Sequence, residues 1–373
     1  MINRIVFIGF YIPGNASSNF VVSFCKGYAQ LGLDVVLILN VQDEKNIPNI
    51  EGVRIIPICN MGRWKRERTI LRYIKQYYQE GSTVVQYYSS PTYGWLRPFN
   101  RRMEFHTHGE IPFANPNAPF RFKLTEWFVR LSTRTATGLL VQTNQLKDYY
   151  TRYGIKNIQV FNIIIDPSRF EGLKKTTTEK YISYCGSIGV YKDGVNDLID
   201  AFAMISTKHP DVKLQLIGGF FSPEDERVLR EKVATLNISD KVVFVGRVAP
   251  EQMPSLLYNS EILALARPNN KQAQYGFPSK LGEYLFTGNP VVLTRVGEID
   301  HFLKDGESSV FANPDDPKDF AEKLDWVLSH PKEARVIGDA GHKVAEENFS
   351  ILSQCRVAVD FFQRVLTKLY KRE

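Results

Sequence analysis

The chain has 373 residues, of which 43% are hydrophobic and 23% charged, and it carries a formal net charge of +7. This length is too great for one ordinary core and fits two domains, and the composition is ordinary for a soluble globular protein. The apolar runs, such as Val35 to Leu39, are far shorter than the ~20 residues of a membrane helix, so we expect no membrane-spanning helix.

The first half of the chain alternates short apolar runs, rich in β-branched residues, with amphipathic stretches. The apolar runs predict strands at Arg4–Phe10, Asp34–Asn40, Val53–Ile58, Thr83–Tyr88, Met103–Thr107, Thr137–Gln142 and Asn157–Asn162. The amphipathic stretches predict helices at about Asn19–Leu31, Glu67–Glu80, Pro119–Arg134 and Asn144–Tyr153. Alternation of this kind indicates a parallel sheet covered by helices.

The pattern pauses near residues 165–178 and then restarts. The second half predicts strands at Tyr181–Cys185, Val212–Ile217, Lys241–Val245, Glu261–Ala266 and Pro290–Thr294. Helices are predicted at about Asn196–Lys208, Pro223–Leu236, Pro250–Tyr258, Ser279–Phe286 and Ile351–Leu369. We therefore expect one domain over residues 1–165, a second over 176–348, and a last segment, 349–373, that packs back on the first domain. Ligands of doubly wound sheets bind beyond the carboxyl ends of the strands, so the residues just after strands are the candidates for chemistry.

The cysteines are far apart and form no CxxC pair. They are Cys25, Cys59, Cys185 and Cys355. Their spacing argues against a zinc site or a disulfide framework and fits a reducing compartment. Met1 to Phe10 lacks the basic start and the long apolar run of a signal peptide. We therefore expect a cytoplasmic protein.

Basic and aromatic residues cluster in the first half of the chain. They are Arg63, Trp64, Lys65, Arg66 and Arg68, then Trp95, Arg97, Phe99, Arg101 and Arg102. Two interpretations stay open, a solvated surface and a surface that contacts anionic lipid headgroups at the inner face of the cytoplasmic membrane. No nucleic-acid-binding signature accompanies the charge, so no nucleic-acid partner is predicted.

Two segments of the second half carry candidate binding residues. The first runs from Gln274 to Val292, where a Gly-Phe-Pro turn opens a helix. Backbone N–H groups at a helix start suit a diphosphate, and Glu283, one turn in, can accept hydrogen bonds from two vicinal ribose hydroxyls. The second segment, Cys185 to Phe202, places Lys192 in a loop after a strand, where it could meet a phosphate.

Two segments of the first half are weaker candidates. His106 and His108 flank Thr107 at a strand end, followed by Gly109 and Glu110. Their i, i+2 spacing could suit a metal, but no further ligand set is evident and no metal is predicted. Gly14 and Asn15 follow the first strand. No GxGxxG occurs there, which counts against a dinucleotide-dependent dehydrogenase.

In their order, these segments resemble the retaining glycosyltransferases of family 4, which have the GT-B fold. The family pattern is Glu-Gly-Phe, a second Glu at fixed spacing, and Gly-x-Pro-Val-Val. The resemblance implies an α/β fold of two Rossmann-like parallel-sheet domains facing across a cleft. It also implies that Glu283 holds the ribose. Backbone amides of the turn would contact the sugar and phosphates, at Gly276, Phe277 and Pro278, with Ser279, Lys280 and Leu281 behind them. Tyr275 stands where the first Glu is usual, and Gln274 is the candidate to contribute a sugar contact there.

The second segment resembles the Gly-Arg-x-x-x-x-Lys-Gly loop of the same family. Lys192 matches the Lys, Ser187 replaces the Arg, and Asp193 is inserted before Gly194. The missing positive charge could come from Arg267, Lys271 or Lys280. In the first half, the resemblance implies that His108, or His106 as second choice, faces the transferred sugar, and that Gly14 and Asn15 let the acceptor and the donor phosphates approach. Gly246 and Arg247 match a strand end near the base, and Asp166 and Phe170 match the segment between the domains.

The activity that the resemblance implies is sugar transfer with retention, from a UDP- or GDP-linked donor to a saccharide or lipid-linked saccharide, in surface polysaccharide synthesis. No Asp-x-Asp occurs, so no metal cofactor is expected. A nucleotide-sugar epimerase of the same fold and a non-catalytic binding protein stay open as alternatives. Acceptor-dependent release of nucleoside diphosphate separates the transferase from the epimerase.

Overall fold

A computed structural model describes residues 1–13, 16–88, 104–108, 127, 131–190 and 193–371, with the backbone alone at 16, 17 and 63. The chain divides into two compact units. The first unit comprises Met1–Ile164 and Ser350–Glu373, and the second comprises Ile165–Phe349.

The first unit is built on a parallel sheet of seven strands in the order β3-β2-β1-β4-β5-β6-β7. The strands are β1 Arg4–Tyr11, β2 Asp34–Val41, β3 Val53–Cys59, β4 Thr83–Tyr88, β5 Glu104–His108, β6 Gly138–Val141 and β7 Ile158–Val160. Both faces of the central strands are covered, since Val6 and Phe7 on β1 are both fully buried. This explains why these strands read as continuous apolar runs rather than as alternating ones.

Helices cover this sheet in the first unit. They are α1 Ala16–Gln30, α2 Arg63–Tyr77, α3 Asn144–Arg152 and the C-terminal α11 Ile351–Tyr370. Helix α2 buries Ile70 and Ile74 against the sheet. Helix α11 lies against α1 so closely that a side chain at Gly27 would overlap the Cys355 thiol. On the same helix, the Phe362 ring lies 4.5 Å from the Phe105 ring.

The second unit repeats the design with six parallel strands in the order β10-β9-β8-β11-β12-β13. The strands are β8 Lys180–Cys185, β9 Val212–Ile217, β10 Val242–Gly246, β11 Ile262–Leu265, β12 Val291–Thr294 and β13 Val310–Ala312. The helices are α4 Val195–Ile205, α5 Pro223–Thr235, α6 Met253–Tyr258, α7 Lys271–Tyr275, α8 Ser279–Phe286, α9 Pro317–Ser329 and α10 Pro331–Phe349. The strand order reverses between β8 and β11, which is where a doubly wound sheet opens a ligand-binding crevice.

Glycines allow the loops at this reversal point to touch. Gly194 has φ +67°, and a side chain there would overlap the carbonyl oxygen of Ala266, just after β11. Gly218 has φ +138°, and a side chain there would overlap the carbonyl oxygen of Gly186, just after β8. Only glycine combines this backbone conformation with such close approach. The loops after β8, β9 and β11 therefore form one packed layer at the carboxyl edge of the sheet.

The sequence predicted most of these elements, but it gave no prediction for β13, α9 and α10. The loop predicted between Ala266 and Gly276 contains the short helix α7, which Asn270 caps by accepting a hydrogen bond from the Ala273 amide. Ala273 is its one buried residue, so no apolar period marked it. Most of the predicted helix at 119–134 lies outside the described residues. Among the described helices, none is long and apolar enough to cross a membrane.

Candidate functional site

Four side chains of the second unit meet at the carboxyl ends of β8 and β11. The Lys280 ammonium group, in the first turn of α8, lies 2.6 Å from Asp193 Oδ2 and 3.0 Å from the Tyr184 hydroxyl. It also stands 4.5 Å from the centre of the Tyr184 ring. Arg267, which follows β11, brings its Nε to 3.8 Å from Asp193 Oδ1. We call these four residues, Tyr184, Asp193, Arg267 and Lys280, the cation cluster.

The cation cluster is buried and carries one more positive charge than negative charge. The side chains of Lys280 and Asp193 are both 14% exposed, and that of Arg267 is 8% exposed. Burial favours the neutral form of Asp193, but Lys280 and Arg267 outweigh it, so the pKa of this carboxyl group is lowered. Burial lowers the pKa of Arg267, against the attraction of Asp193. Because Arg and Lys stay charged near neutral pH, this edge of the sheet has an excess positive charge that suits an anion.

The start of α8 adds backbone donors beside the cation cluster. Phe277 and Leu281 point into the core, so the chain can offer a ligand only their backbone groups. The Gly276 amide already donates to the Gln272 carbonyl oxygen at 3.0 Å, and Pro278 has no amide hydrogen. Amide donation from Gly276 and Pro278, which the sequence had suggested, is therefore not available in this conformation. The amides of Ser279 and Lys280 belong to the first helical turn, where no intrahelical acceptor exists.

Glu283, one turn further along α8, forms an ion pair with Arg169. Arg169 lies on the 3-10 helix Pro167–Phe170, directly after the segment that joins the units, and a second guanidinium nitrogen lies 3.3 Å from the Pro250 carbonyl oxygen. The Glu283 side chain is 15% exposed. The Arg169 contact fixes one carboxylate oxygen of Glu283, and each carboxylate oxygen can accept more than one hydrogen bond.

The remaining predicted donor-site residues lie around this edge. Ser187 follows β8, and its carbonyl oxygen accepts a hydrogen bond from the Tyr184 hydroxyl at 3.0 Å. Gly246 ends β10, and its carbonyl oxygen accepts from the Gly218 amide at 2.9 Å. Arg247 is exposed, and its side chain runs beside Gly219. Lys271 begins α7 with an exposed side chain.

The sequence offered Arg267, Lys271 and Lys280 as sources of the missing positive charge. Of these three, Arg267 and Lys280 belong to the cation cluster. Lys192, Gly14 and Asn15 lie outside the described residues.

In the first unit, His106 and His108 lie on β5 with buried side chains. His106 Nε2 is 2.8 Å from Glu104 Oε1, and His108 Nδ1 is 3.1 Å from the Tyr150 hydroxyl. Burial, and then the neighbouring His106, lowers the pKa of His108 to about 3. His108 is therefore neutral near pH 7 and can hydrogen-bond without carrying charge.

Three residues of the second-unit site were not predicted as site residues: Asp193, which was noted only as an insertion in a motif, Tyr184 and Arg169. Tyr184 sits within the apolar strand β8, where a tyrosine normally fills the core, so nothing in the pattern set it apart. Arg169 follows an Asp-Pro turn and could be read as an ordinary surface residue. The spatial pairing with Glu283 identifies it, and that pairing spans more than a hundred positions of sequence.

Comparison with known proteins identifies a family that the second unit matches. Residues 166–344 match the family described as Glycosyl transferases group 1. MMP alpha-(1->4)-mannosyltransferase of Mycolicibacterium hassiacum is 25% identical over 65% of this chain and 58% of its own length. Mannosylfructose-phosphate synthase of Agrobacterium fabrum is 27% identical over 48% of this chain and 42% of its own length. The chain thus spans about half the length of the curated relatives that it matches.

Solved structures match over nearly the whole chain. Sucrose-phosphate synthase from Thermosynechococcus elongatus has a TM-score of 0.75 at 17% identity, over 98% of this chain and 100% of that one. Anabaena HepE, solved in complex with UDP-glucose, has a TM-score of 0.73 at 15% identity, over 99% of both chains. Identities at this level show the fold. Residues 166–344 therefore form a region of the glycosyl transferases group 1 family, and the two parallel sheets of the chain form the GT-B fold.

Proposed function

We propose that this protein is a retaining glycosyltransferase that transfers a hexose from a nucleotide-sugar donor. The observation that carries the proposal is the cation cluster at the reversal point of the second sheet. Two buried cations share one carboxylate there, and the start of α8 adds amide donors. A diphosphate is an anion that such a site recognises.

The cation cluster supplies the positive charge that the family pattern assigns to an arginine at the position of Ser187. Ser187 stands where the family has an arginine, and the neighbouring Lys280 and Arg267 supply positive charge at the same edge of the sheet. Together with Lys192, they would stabilise the diphosphate as it leaves. Preorganised charges of this kind typically contribute ~10²–10³-fold in rate.

Glu283 is the proposed ribose-binding residue of this donor site. Its carboxylate lies one helical turn after the start of α8, and the ion pair with Arg169 orients it. The HepE structure, which shares the fold, contains UDP-glucose. A UDP- or GDP-linked sugar therefore fits the site proposed here. No divalent metal enters the proposed reaction, because the cations of the protein neutralise the leaving group.

The acceptor side of the proposal rests on the first unit. We assign His108 to the transferred sugar, as a neutral hydrogen-bonding group rather than a charged one. A saccharide or lipid-linked saccharide is the proposed acceptor, in the synthesis of a surface polysaccharide. A relative of 30% identity over 45% of this chain is the Staphylococcus aureus capsular polysaccharide biosynthesis glycosyltransferase CapM, which supports that assignment.

The surface of helix α2 supports a peripheral contact of this protein with the membrane, where a lipid-linked acceptor would lie. It contains six basic residues and one acidic residue. Its exposed side includes Trp64, at 64% exposure, and a groove of about 440 Å³ lined by Trp64, Lys65, Arg68, Thr69 and Arg72. Tryptophan and basic side chains together favour the interface of an anionic bilayer. The second basic cluster, at 95–102, lies outside the described residues.

The test of the transferase is acceptor-dependent release of nucleoside diphosphate, with and without EDTA. We expect release from one nucleotide series, unchanged by EDTA, and at least ~10²-fold slower release from Lys280→Met. Lys304→Met is the matched control, because Lys304 is 75% exposed and outside the cluster. Equal rates in Lys280→Met and the wild-type chain would refute the role of the cation cluster. Release that needs no acceptor would argue for a hydrolase or an epimerase side reaction.

The test of the membrane contact is co-sedimentation with vesicles. We expect binding to vesicles that contain phosphatidylglycerol and little binding to pure phosphatidylcholine. The double variant Arg68→Gln/Arg72→Gln should lose binding by roughly tenfold or more, at about 1 kcal/mol per basic residue. The control variant Lys304→Gln/Lys343→Gln removes the same charge from exposed positions of the second unit. Equal loss in both variants would contradict a specific α2 surface.

A further inference from the structure

Asp193 occupies an unusual position in the cation cluster. It has φ +55°, in the left-handed region that non-glycine residues rarely adopt, and it lies just before Gly194 at the start of α4. Its carboxylate contacts Lys280, the Tyr184 hydroxyl and Arg267. Asparagine adopts this backbone region as readily as aspartate does. The backbone therefore does not by itself require the charge at this position.

The placement of Lys280 does not depend on that charge alone. The Tyr184 hydroxyl lies 3.0 Å from the ammonium nitrogen, and the Tyr184 ring faces it. The Gly186 backbone encloses the same nitrogen, because a side chain at Gly186 would overlap it. An asparagine amide oxygen at position 193 could still accept the hydrogen bond of Lys280 and stay in contact with the Tyr184 hydroxyl. Replacing Asp193 by Asn would thus remove one negative charge while these contacts persist.

The charge matters because donor and product differ in charge at the diphosphate. In a nucleotide sugar both phosphates are esterified, whereas the released nucleoside diphosphate has a terminal phosphate that ionises again with a pKa near ~6. The product therefore binds a pair of cations more tightly than the donor does. Two buried cations without a counter-charge would hold the product and slow turnover.

We propose that Asp193 offsets one of the two cations, Lys280 and Arg267, so that the product nucleoside diphosphate leaves readily. This role rests on the proposed donor site and makes Asp193 a positioning and charge-balancing residue rather than one that touches the reacting atoms. In Asp193→Asn the excess charge of the cluster rises from one to two. Affinity for nucleoside diphosphate then rises more than affinity for the matching nucleotide sugar, and kcat falls because release becomes slow.

The experiment is calorimetric titration of the full chain with UDP, GDP and the matching nucleotide sugars. For Asp193→Asn we expect a Kd for the nucleoside diphosphate at least roughly tenfold lower than wild type, about 1.4 kcal/mol, and a smaller gain for the nucleotide sugar. Product inhibition should strengthen in parallel. Asp211→Asn, which removes a 58% exposed carboxylate elsewhere in the unit, should bind as wild type does.

Three outcomes would overturn the proposal. Unchanged or weaker nucleoside diphosphate binding in Asp193→Asn shows that the carboxylate does not limit product affinity. An equal gain in affinity for the nucleotide sugar and for the nucleoside diphosphate shows that Asp193 does not act selectively on product release. A wild-type chain that binds neither nucleotide series refutes the donor site itself. Where the wild type binds and Lys280→Gln weakens that binding, the donor site stands, and an unchanged Asp193→Asn then refutes the role of Asp193 alone.

Discussion

His108 should make the stability of the first unit depend on pH. Its pKa is lowered from 6.5 to about 3, first by burial and then by His106. Below pH 6.5 the unfolded chain takes up a proton on this histidine and the folded chain does not, so stability is complete above pH 6.5 and is lost as the pH falls toward 3. Each pH unit in this window costs up to about 1.4 kcal/mol, and the loss from pH 8 to pH 5 reaches about 2 kcal/mol.

The assay is urea unfolding of the wild-type chain and of His108→Asn at pH 8, 7, 6 and 5, followed by tryptophan fluorescence. Trp64, Trp95 and Trp127 lie in the N-terminal half of the sequence, so the signal reports mainly the first unit. Asparagine keeps a polar atom near Nδ1 and does not titrate. We expect the free energy of unfolding to fall by about 2 kcal/mol more in wild type than in this variant. His301→Asn is the control, because His301 is 58% exposed. Parallel pH profiles for wild type and His108→Asn would refute the reasoning.

Two further predictions concern the second unit. Gly194→Ala should destabilise the chain by more than about 3 kcal/mol, because its side chain would overlap the Ala266 carbonyl oxygen at φ +67°. Gly306→Ala, with φ +72° and open space around it, should cost only about 1–2 kcal/mol in the same urea titration, and equal costs would contradict the close approach. Glu283→Gln should weaken nucleoside diphosphate binding by roughly tenfold or more while inorganic pyrophosphate, which has no ribose, binds as before. Arg169→Met should act in the same direction, and a loss of pyrophosphate binding in either variant would argue against a ribose contact.

The fold was largely readable from the sequence because its strands are buried on both faces. Buried parallel strands appear as short apolar runs, and β4 and β9 have the bounds that the sequence predicted. Helix α8 was also predicted at its observed bounds, because a Gly-Phe-Pro turn precedes it. Helix α7 was missed because capping by Asn270, rather than an apolar face, defines it. Strand β13 and helices α9 and α10 were not predicted either, although α9 buries Phe320, Leu324 and Val327 at helical spacing.

The candidate site was readable only in part, since it depends on pairings distant in sequence. Lys280 and Arg267 were candidates for a missing charge, but their common partner Asp193 was noted only as an insertion in a motif. No periodic pattern in the sequence relates Asp193 to Lys280. Only the fold brings the Asp193 Oδ2 atom to 2.6 Å from the Lys280 ammonium nitrogen. The ion pair of Glu283 with Arg169 was hidden for the same reason.

The central claim is a metal-independent nucleotide-sugar site on the second unit. The most direct test is the thermal stability of the purified chain against UDP- and GDP-linked sugars and their nucleoside diphosphates, with and without EDTA. A ligand that binds only the folded chain stabilises it by about 2.7 kcal/mol at a hundred times its Kd. We predict a rise in Tm with one nucleotide series, unchanged by EDTA and reduced in Lys280→Met. No rise with any of these ligands, or a rise that EDTA abolishes, would contradict the account.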